Sequence, residues 1–189
     1  MALKIHTTFP EENVRLNENP LPVSTLQLFA DAIIQHVGQY RPEYTNIVRL
    51  QRNAGCRITE LFQPYRWSFP RSGNVQILPQ KGNATRVVSL SDLGFANAEA
   101  MQSVLSDMAR LPKSQYERAF SKAVSDVGLW RLYDSGFTHP STHFFRHLKI
   151  KELKNENFDL EFIANWVGEK NIDNLNYYLD SQFFGEVEN

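Results

Sequence analysis

Between residues 67 and 90 the hydrophobic pattern of this chain changes period, and that change limits the folds open to it. Residues 74–79 and 85–90 are rich in Val, Ile and Leu, and between them stands Gln80-Lys81-Gly82-Asn83-Ala84. Turn chemistry between two β-rich runs predicts an antiparallel hairpin, with Lys81 at its tip. On both sides apolar residues recur at helical spacing instead. The chain is therefore expected to be α+β and predominantly α-helical, with one small antiparallel sheet set among the helices. At 189 residues and 42% hydrophobic content, one compact domain with one core is the expected arrangement.

The helical signals run in order. Residues 1–20 are polar and interrupted by Pro10 and Pro20, so they read as an arm or linker before a domain over 21–189. Ser24 and Gln27 have the form of a capping box, followed by Leu28, Phe29, Ala32, Ile33 and Val37 as the apolar side of a helix up to Gly38. A second helix is expected over 42–54, with Tyr44, Ile47, Val48 and Leu50 inward and Gly55 as its stop. A short helical piece covers 56–62. Helices over 96–111 and 114–127 follow, the second closed by Gly128, and 136–140 is a loop. The last three helices are expected over 141–155, 159–167 and 171–181, with Asp159 and Asn171 as caps. Phe162 and Trp166 read as core.

Charge is uneven along the chain. Eight Arg or Lys stand against Glu43 and Glu60 between residues 41 and 90, whereas nine acids face Lys154 and Lys170 between 152 and 189. A net charge of −1 gives no bulk attraction to a polyanion, but this distribution permits a basic face for DNA. Cys56 is the single cysteine, so no intramolecular disulfide can form. With neither a signal-peptide pattern nor an apolar run of about 20 residues, the chain reads as cytoplasmic, with no membrane partner.

The chemistry concentrates in residues 138–178. His143 and Arg146 are three apart, so they share a face if Pro140 opens a helix. The pair Tyr177-Tyr178 falls in a later amphipathic segment that can present a phenol to the same place. An imidazole, a guanidinium and a phenol together suit a phosphodiester: the guanidinium fork binds oxyanions and the phenol can attack phosphorus. His147 reads as a satisfied polar group or a second phosphate contact.

Four boxes in order, Gly55-Cys56-Arg57-Ile58-Thr59-Glu60-Leu61, then Lys81-Gly82-Asn83-Ala84-Thr85-Arg86, then His143-Phe144-Phe145-Arg146-His147, then Val167-Gly168-Glu169 with Tyr178 nine residues on, resemble the catalytic domain of the tyrosine recombinases, the phage-integrase family. The resemblance implies that Arg57 and Arg146 clamp the scissile phosphate, that Lys81 is general acid on the leaving 5′ oxygen, and that His143 joins the second box. It makes Tyr178 the nucleophile that forms a 3′-phosphotyrosine bond without metal or other cofactor. Two guanidiniums stabilising the non-bridging oxygens fill the role a metal would otherwise take. A phenol of ordinary pKa about 10 must lose its proton as it attacks, and His143 is the nearest candidate base. Tyr177 is then expected to pack inward, and Glu60 to hold Arg57 or a helix end.

The chain departs from the family pattern at Glu169, where the family has a His or Trp that donates to the phosphate. Either the Glu169 carboxyl turns away to pair with a cation such as Lys170, or it binds protonated and donates. Members of the family also carry an N-terminal helical domain that clamps DNA, so a chain with about twenty irregular residues before its first helix is expected to be a fragment or a minimal member. The expected function is site-specific DNA recombination or integration, on double-stranded DNA and as a dimer to tetramer. The tail 179–189, with Phe183-Phe184, is expected to dock on a neighbouring protomer or fold back. The alternative is a catalytically impaired DNA-binding regulator on the same scaffold.

Overall fold

The structure, a computed structural model, describes residues 22–79, 84–128 and 142–180. The arm 1–20, Lys81, Pro140 and the Phe183-Phe184 pair lie outside these residues, as does the side chain of Tyr177. Helices α1 (Val23–Tyr40), α2 (Thr45–Ala54) and α3 (Ile58–Leu61) lead into a three-stranded antiparallel sheet of β1 (Trp67–Ser68), β2 (Asn74–Ile77) and β3 (Arg86–Ser89). Then come α4 (Ala98–Arg110), α5 (Lys113–Asp126), α6 (Phe144–Asn155), α7 (Leu160–Val167) and α8 (Asp173–Asp180). Among the described residues no helix is long and apolar enough to cross a membrane.

The hairpin forms in the expected place, with Val75 opposite Val88 and Ile77 opposite Arg86. The strand face carrying Val75, Ile77, Arg86 and Val88 is buried, and Val87 between them is exposed, as period-2 alternation requires. The edge strand β1 is too short to leave a pattern in the sequence.

The start of α1 differs from the capping-box expectation. Pro22 precedes the first turn, no side chain caps it, and Ser24 lies inside the helix. Pro needs no hydrogen-bond partner for its missing N–H, so the start is set by backbone rather than by a hydroxyl. The buried stripe is Leu26, Phe29, Ala30, Ile33 and Val37, and Leu28 faces solvent at 56% exposure. The helix also passes through Gly38 to Tyr40. By contrast, the Asp159 side chain accepts from the Phe162 backbone N–H at 2.7 Å, as expected of a cap. Phe162 is not core: it is 39% exposed and stacks on Phe158 at 4.3 Å between ring centroids.

Helix α6 is the axis of the fold. It packs against α1, α2, α7 and α8. Phe144, Phe145 and Leu148 join the main core with α1, α2 and α5, while Ile150 and Leu153 join a second cluster with Ile163, Val167 and Leu175. Two cores on different sides explain why residues 144–153 carry apolar groups all round instead of one stripe. Each of these fully buried Phe, Leu or Ile side chains contributes about 1.5–3 kcal/mol of transfer free energy. Buried polar links tie α6 to its neighbours. Glu152 accepts from Arg52 at 2.8 Å and from Gln27 at 2.8 Å, and Lys149 lies 3.5 Å away. Gln51 on α2 donates to the Thr142 carbonyl at 3.1 Å and accepts from Tyr116, which fixes the entry to α6.

Candidate active site

Three chain turns converge where the two cores meet. The first is the end of α2. Gly55 adopts a left-handed φ of 59°, and a Cβ there would lie 2.9 Å from the Lys149 Cβ, so only glycine fits. Its carbonyl accepts from Arg146 Nη1 at 3.3 Å. Two residues on, Arg57 precedes α3, and the Glu60 carboxylate accepts the Arg57 backbone N–H at 2.8 Å. Glu60 thus holds the helix end that carries Arg57, as expected of it, and it also meets Arg86 Nη2 at 3.5 Å.

The second turn is the start of α6. His143 stands just before the helix, three residues ahead of Arg146, and is half-buried. Arg146 is completely buried. Its Nη1 also donates to the Val167 carbonyl at 2.6 Å, and its Nε has no hydrogen-bond partner among the described residues. Burial, and then the positive charge of Arg57, lower the Arg146 pKa from its ordinary value. His147 follows at 4% exposure. Burial, reinforced by His143, Lys151 and Arg146, pushes its pKa down to about 3, so the ring is neutral at neutral pH.

The third turn joins α7 to α8. Gly168 closes α7 at φ 74°, with the Ala84 carbonyl 3.3 Å and Arg86 Cδ 3.4 Å from where a Cβ would stand. Ala84 N–H donates to the Gly168 carbonyl at 3.1 Å, so the returning strand of the hairpin is bonded to this turn. Glu169 follows, 6% exposed at its side chain. The expected pairing with Lys170 is replaced by a stronger one. Glu169 Oε2 accepts from Arg57 Nη2 at 3.2 Å and from Arg146 Nη2 at 3.3 Å. Two guanidinium forks offer more directed donors than one flexible ammonium, and they lie on the buried side of the turn. Its other oxygen accepts from Asn174 Nδ2 at 3.2 Å. Both oxygens act as acceptors, the first of the two expected states, with Arg57 and Arg146 as the cations in place of Lys170.

Tyr178 completes the group from α8. Its ring meets His147 edge-on with centroids 4.5 Å apart, and the Arg146 guanidinium carbon lies 6.0 Å from its centroid. Arg57, Arg146, Glu169 and Tyr178 are thus together, with His143 one turn before His147. Lys81 lies outside the described residues, although Ala84, three positions on, is bonded to Gly168. Arg57 is the guanidinium with a side to solvent, at 23% exposure against 0% for Arg146. The arrangement can hold one tetrahedral oxyanion between two forks beside a phenol. Among the described residues no group of three or more His, Cys, Asp or Glu is placed to hold a metal ion.

Sequence reasoning gave no role to Arg86 or Asn174. Arg86 is 2% exposed and donates to the Trp166 carbonyl at 3.0 Å. Arg52 is also nearly covered, so two cations of the basic stretch are paired inside the protein, while Arg41, Arg49 and Arg71 are exposed. The inward period-2 position of Arg86, shared with Val88, was the available signal.

The sequence matches no protein-family model and no curated protein. Solved structures share its fold. A lambda integrase dimer bound to a COC′ core site superimposes with a TM-score of 0.61 and 17% identity, over 90% of this chain and 62% of that one. XerA recombinase does so with a TM-score of 0.56 and 16% identity, over 85% of this chain and 60% of that one. Both are tyrosine recombinases, and the helical domain with its small antiparallel sheet has the fold of their catalytic domain. This chain spans about three fifths of the length of each.

Proposed function

We propose that the chain is a DNA strand-cleaving and strand-rejoining recombinase that acts through Tyr178. One observation carries this reading: Arg57 and Arg146, from two distant parts of the chain, aim at a single anionic oxygen from 3.2 and 3.3 Å beside a tyrosine on α8. Two forks on one oxygen are a clamp for an oxyanion, and a phosphodiester offers two non-bridging oxygens to it. In the reaction the Tyr178 oxygen bonds to phosphorus as the 5′ oxygen leaves. The phenolic proton passes to His143, and Lys81 protonates the departing oxygen. Rejoining reverses each transfer, so no net bond energy is lost. Partners follow from the reaction: double-stranded DNA, and a second copy of the chain on it. These roles for Lys81 and His143 rest on the sequence resemblance.

A second reading, a DNA-binding regulator without cleavage, is favoured by Glu169, which sits as an anion on the same clamp. At an effective dielectric near 20, two like charges 4 Å apart repel by about 4 kcal/mol, enough to slow cleavage about a thousandfold if the carboxylate stays in place. Incubation with nicked, random-sequence duplex DNA, followed by denaturing capture and sequencing of covalent adducts, separates the two. A recombinase gives adducts that vanish in Tyr178→Phe while salt-dependent DNA binding persists. Adducts that persist in Tyr178→Phe and vanish in Tyr177→Phe move the nucleophile to Tyr177. Salt-dependent binding with no adduct from the parent establishes the regulator.

A further inference from the structure

Glu169 touches more than the arginines. Through Oε1 it accepts from Asn174, which lies four residues before Tyr178 and so on the same side of α8. One carboxylate thereby joins the clamp to the helix that bears the phenol. Arg146 is completely buried, its Nη1 satisfied by the Gly55 and Val167 carbonyls and its Nη2 facing Glu169. Its Nε is buried too and has no partner among the described residues, so an oxyanion that approaches Arg146 from the part-exposed Arg57 side takes the place of that carboxylate.

We infer that Glu169 is a latch: in the DNA-free protein it occupies the arginine pair in place of a phosphate and, through Asn174, ties that pair to α8, so that an oxyanion arriving on the clamp displaces Glu169 and re-positions Tyr178. This rests on the reading of Arg57 and Arg146 as an oxyanion clamp. Glu169 and Asn174 are then positioning residues, acting through the arginines and the helix rather than on the reacting atoms. The arrangement makes two separable demands. Removing the charge of Glu169 relieves competition at the clamp, and removing the Asn174 amide uncouples the clamp from the helix without altering what the clamp binds.

The test uses the whole chain labelled with fluorotyrosine, inorganic phosphate as probe, and Tyr178→Phe to identify the Tyr178 fluorine resonance among the 7 tyrosines. Calorimetry reads phosphate binding, and the resonance reads the helix. In the parent, phosphate moves the Tyr178 line as it saturates. Glu169→Gln, which keeps the shape and one acceptor oxygen, binds phosphate at least about tenfold more tightly. Asn174 is exposed, so Asn174→Ala is a fold-neutral change; it binds phosphate within about twofold of the parent, but the Tyr178 line moves less than about a third as far. Equal phosphate affinity in Glu169→Gln and the parent overturns the latch, as does a full Tyr178 response in Asn174→Ala, or no phosphate binding by either the parent or Glu169→Gln. DNA adducts distinguish the two levels: adduct formation with a Tyr178 line indifferent to phosphate removes the latch alone, and a responsive line with no adduct from any DNA removes the nucleophile alone.

Discussion

Two glutamates in this molecule each hold a buried arginine, and they do so in opposite ways. Glu60 and Arg86 are sealed together, with side chains 2% and 1% exposed, and their other partners are the Arg57 N–H and the Ala54 and Trp166 carbonyls. Glu169 is shared between Arg146, which is sealed, and Arg57, which keeps 23% of its surface in water. The first pair is closed on all sides and has no room for a ligand. The second has one donor at the surface and one inside, the geometry of a pair that can exchange its anion. The same residue types thus make a fixed joint in one place and a displaceable contact in the other, and access to solvent decides which.

The contrast breaks or sharpens through four measurements. Glu60→Gln leaves Arg86 charged, buried and without an anion, so urea unfolding should show a loss of about 3–5 kcal/mol. A loss below about 1 kcal/mol would mean that the closed pair is not what holds this region. The next effect is on His147, held neutral against Tyr178. Its pKa falls from about 6.5 in the unfolded chain to about 3 in the fold, so between these values the unfolded chain binds more protons. Its contribution to stability is complete above pH 6.5 and is lost as pH falls toward 3, which amounts to about 3 kcal/mol between pH 7 and pH 4. His147→Gln should flatten that part of the pH–stability curve, and an unchanged slope would place the acid sensitivity elsewhere. Glu169→Gln, the counterpart of the first change, should lose about 1–2 kcal/mol, since half of its pairing is with Arg57, which is 23% exposed and can turn to water. A loss equal to that of Glu60→Gln would erase the distinction between the pairs. The smallest stability effect is that of Arg57→Ala, under about 1 kcal/mol by the same unfolding measurement, yet adduct formation on DNA should fall about a hundredfold or more.

The same contrast shows what the sequence could reveal. Gly55, Arg57 and Glu60 were legible as a set because a left-handed stop, a helix start and its carboxylate cap are local events. The hairpin and the Asp159 cap were legible for the same reason. Glu169 could be singled out, but its partners could not, since Arg57 is 112 positions away and Arg146 is 23. Lys170 is the cation nearest in sequence, and tertiary placement favours the two forks. The errors at Leu28 and Phe162 arise similarly: both are apolar at helical spacing, and which flank of the stripe meets the core depends on neighbours far along the chain. Ser24 looked like a cap until Pro22 took over the helix start. Arg86 carries one sign, its inward period-2 position shared with Val88, but a charged residue there reads as exposed unless a partner such as Glu60 is known.

The bond from Ala84 to Gly168 makes the sheet and the clamp parts of one linkage. Gly168 immediately precedes Glu169, and two residues beyond Ala84 the chain enters β3 at Arg86, whose guanidinium meets Glu60 at the start of α3 that carries Arg57. A closed circuit therefore runs from Glu169 through the sheet to Arg57 and back across a 3.2 Å pair to Glu169. A load placed on the sheet thus reaches the arginine clamp by two routes at once.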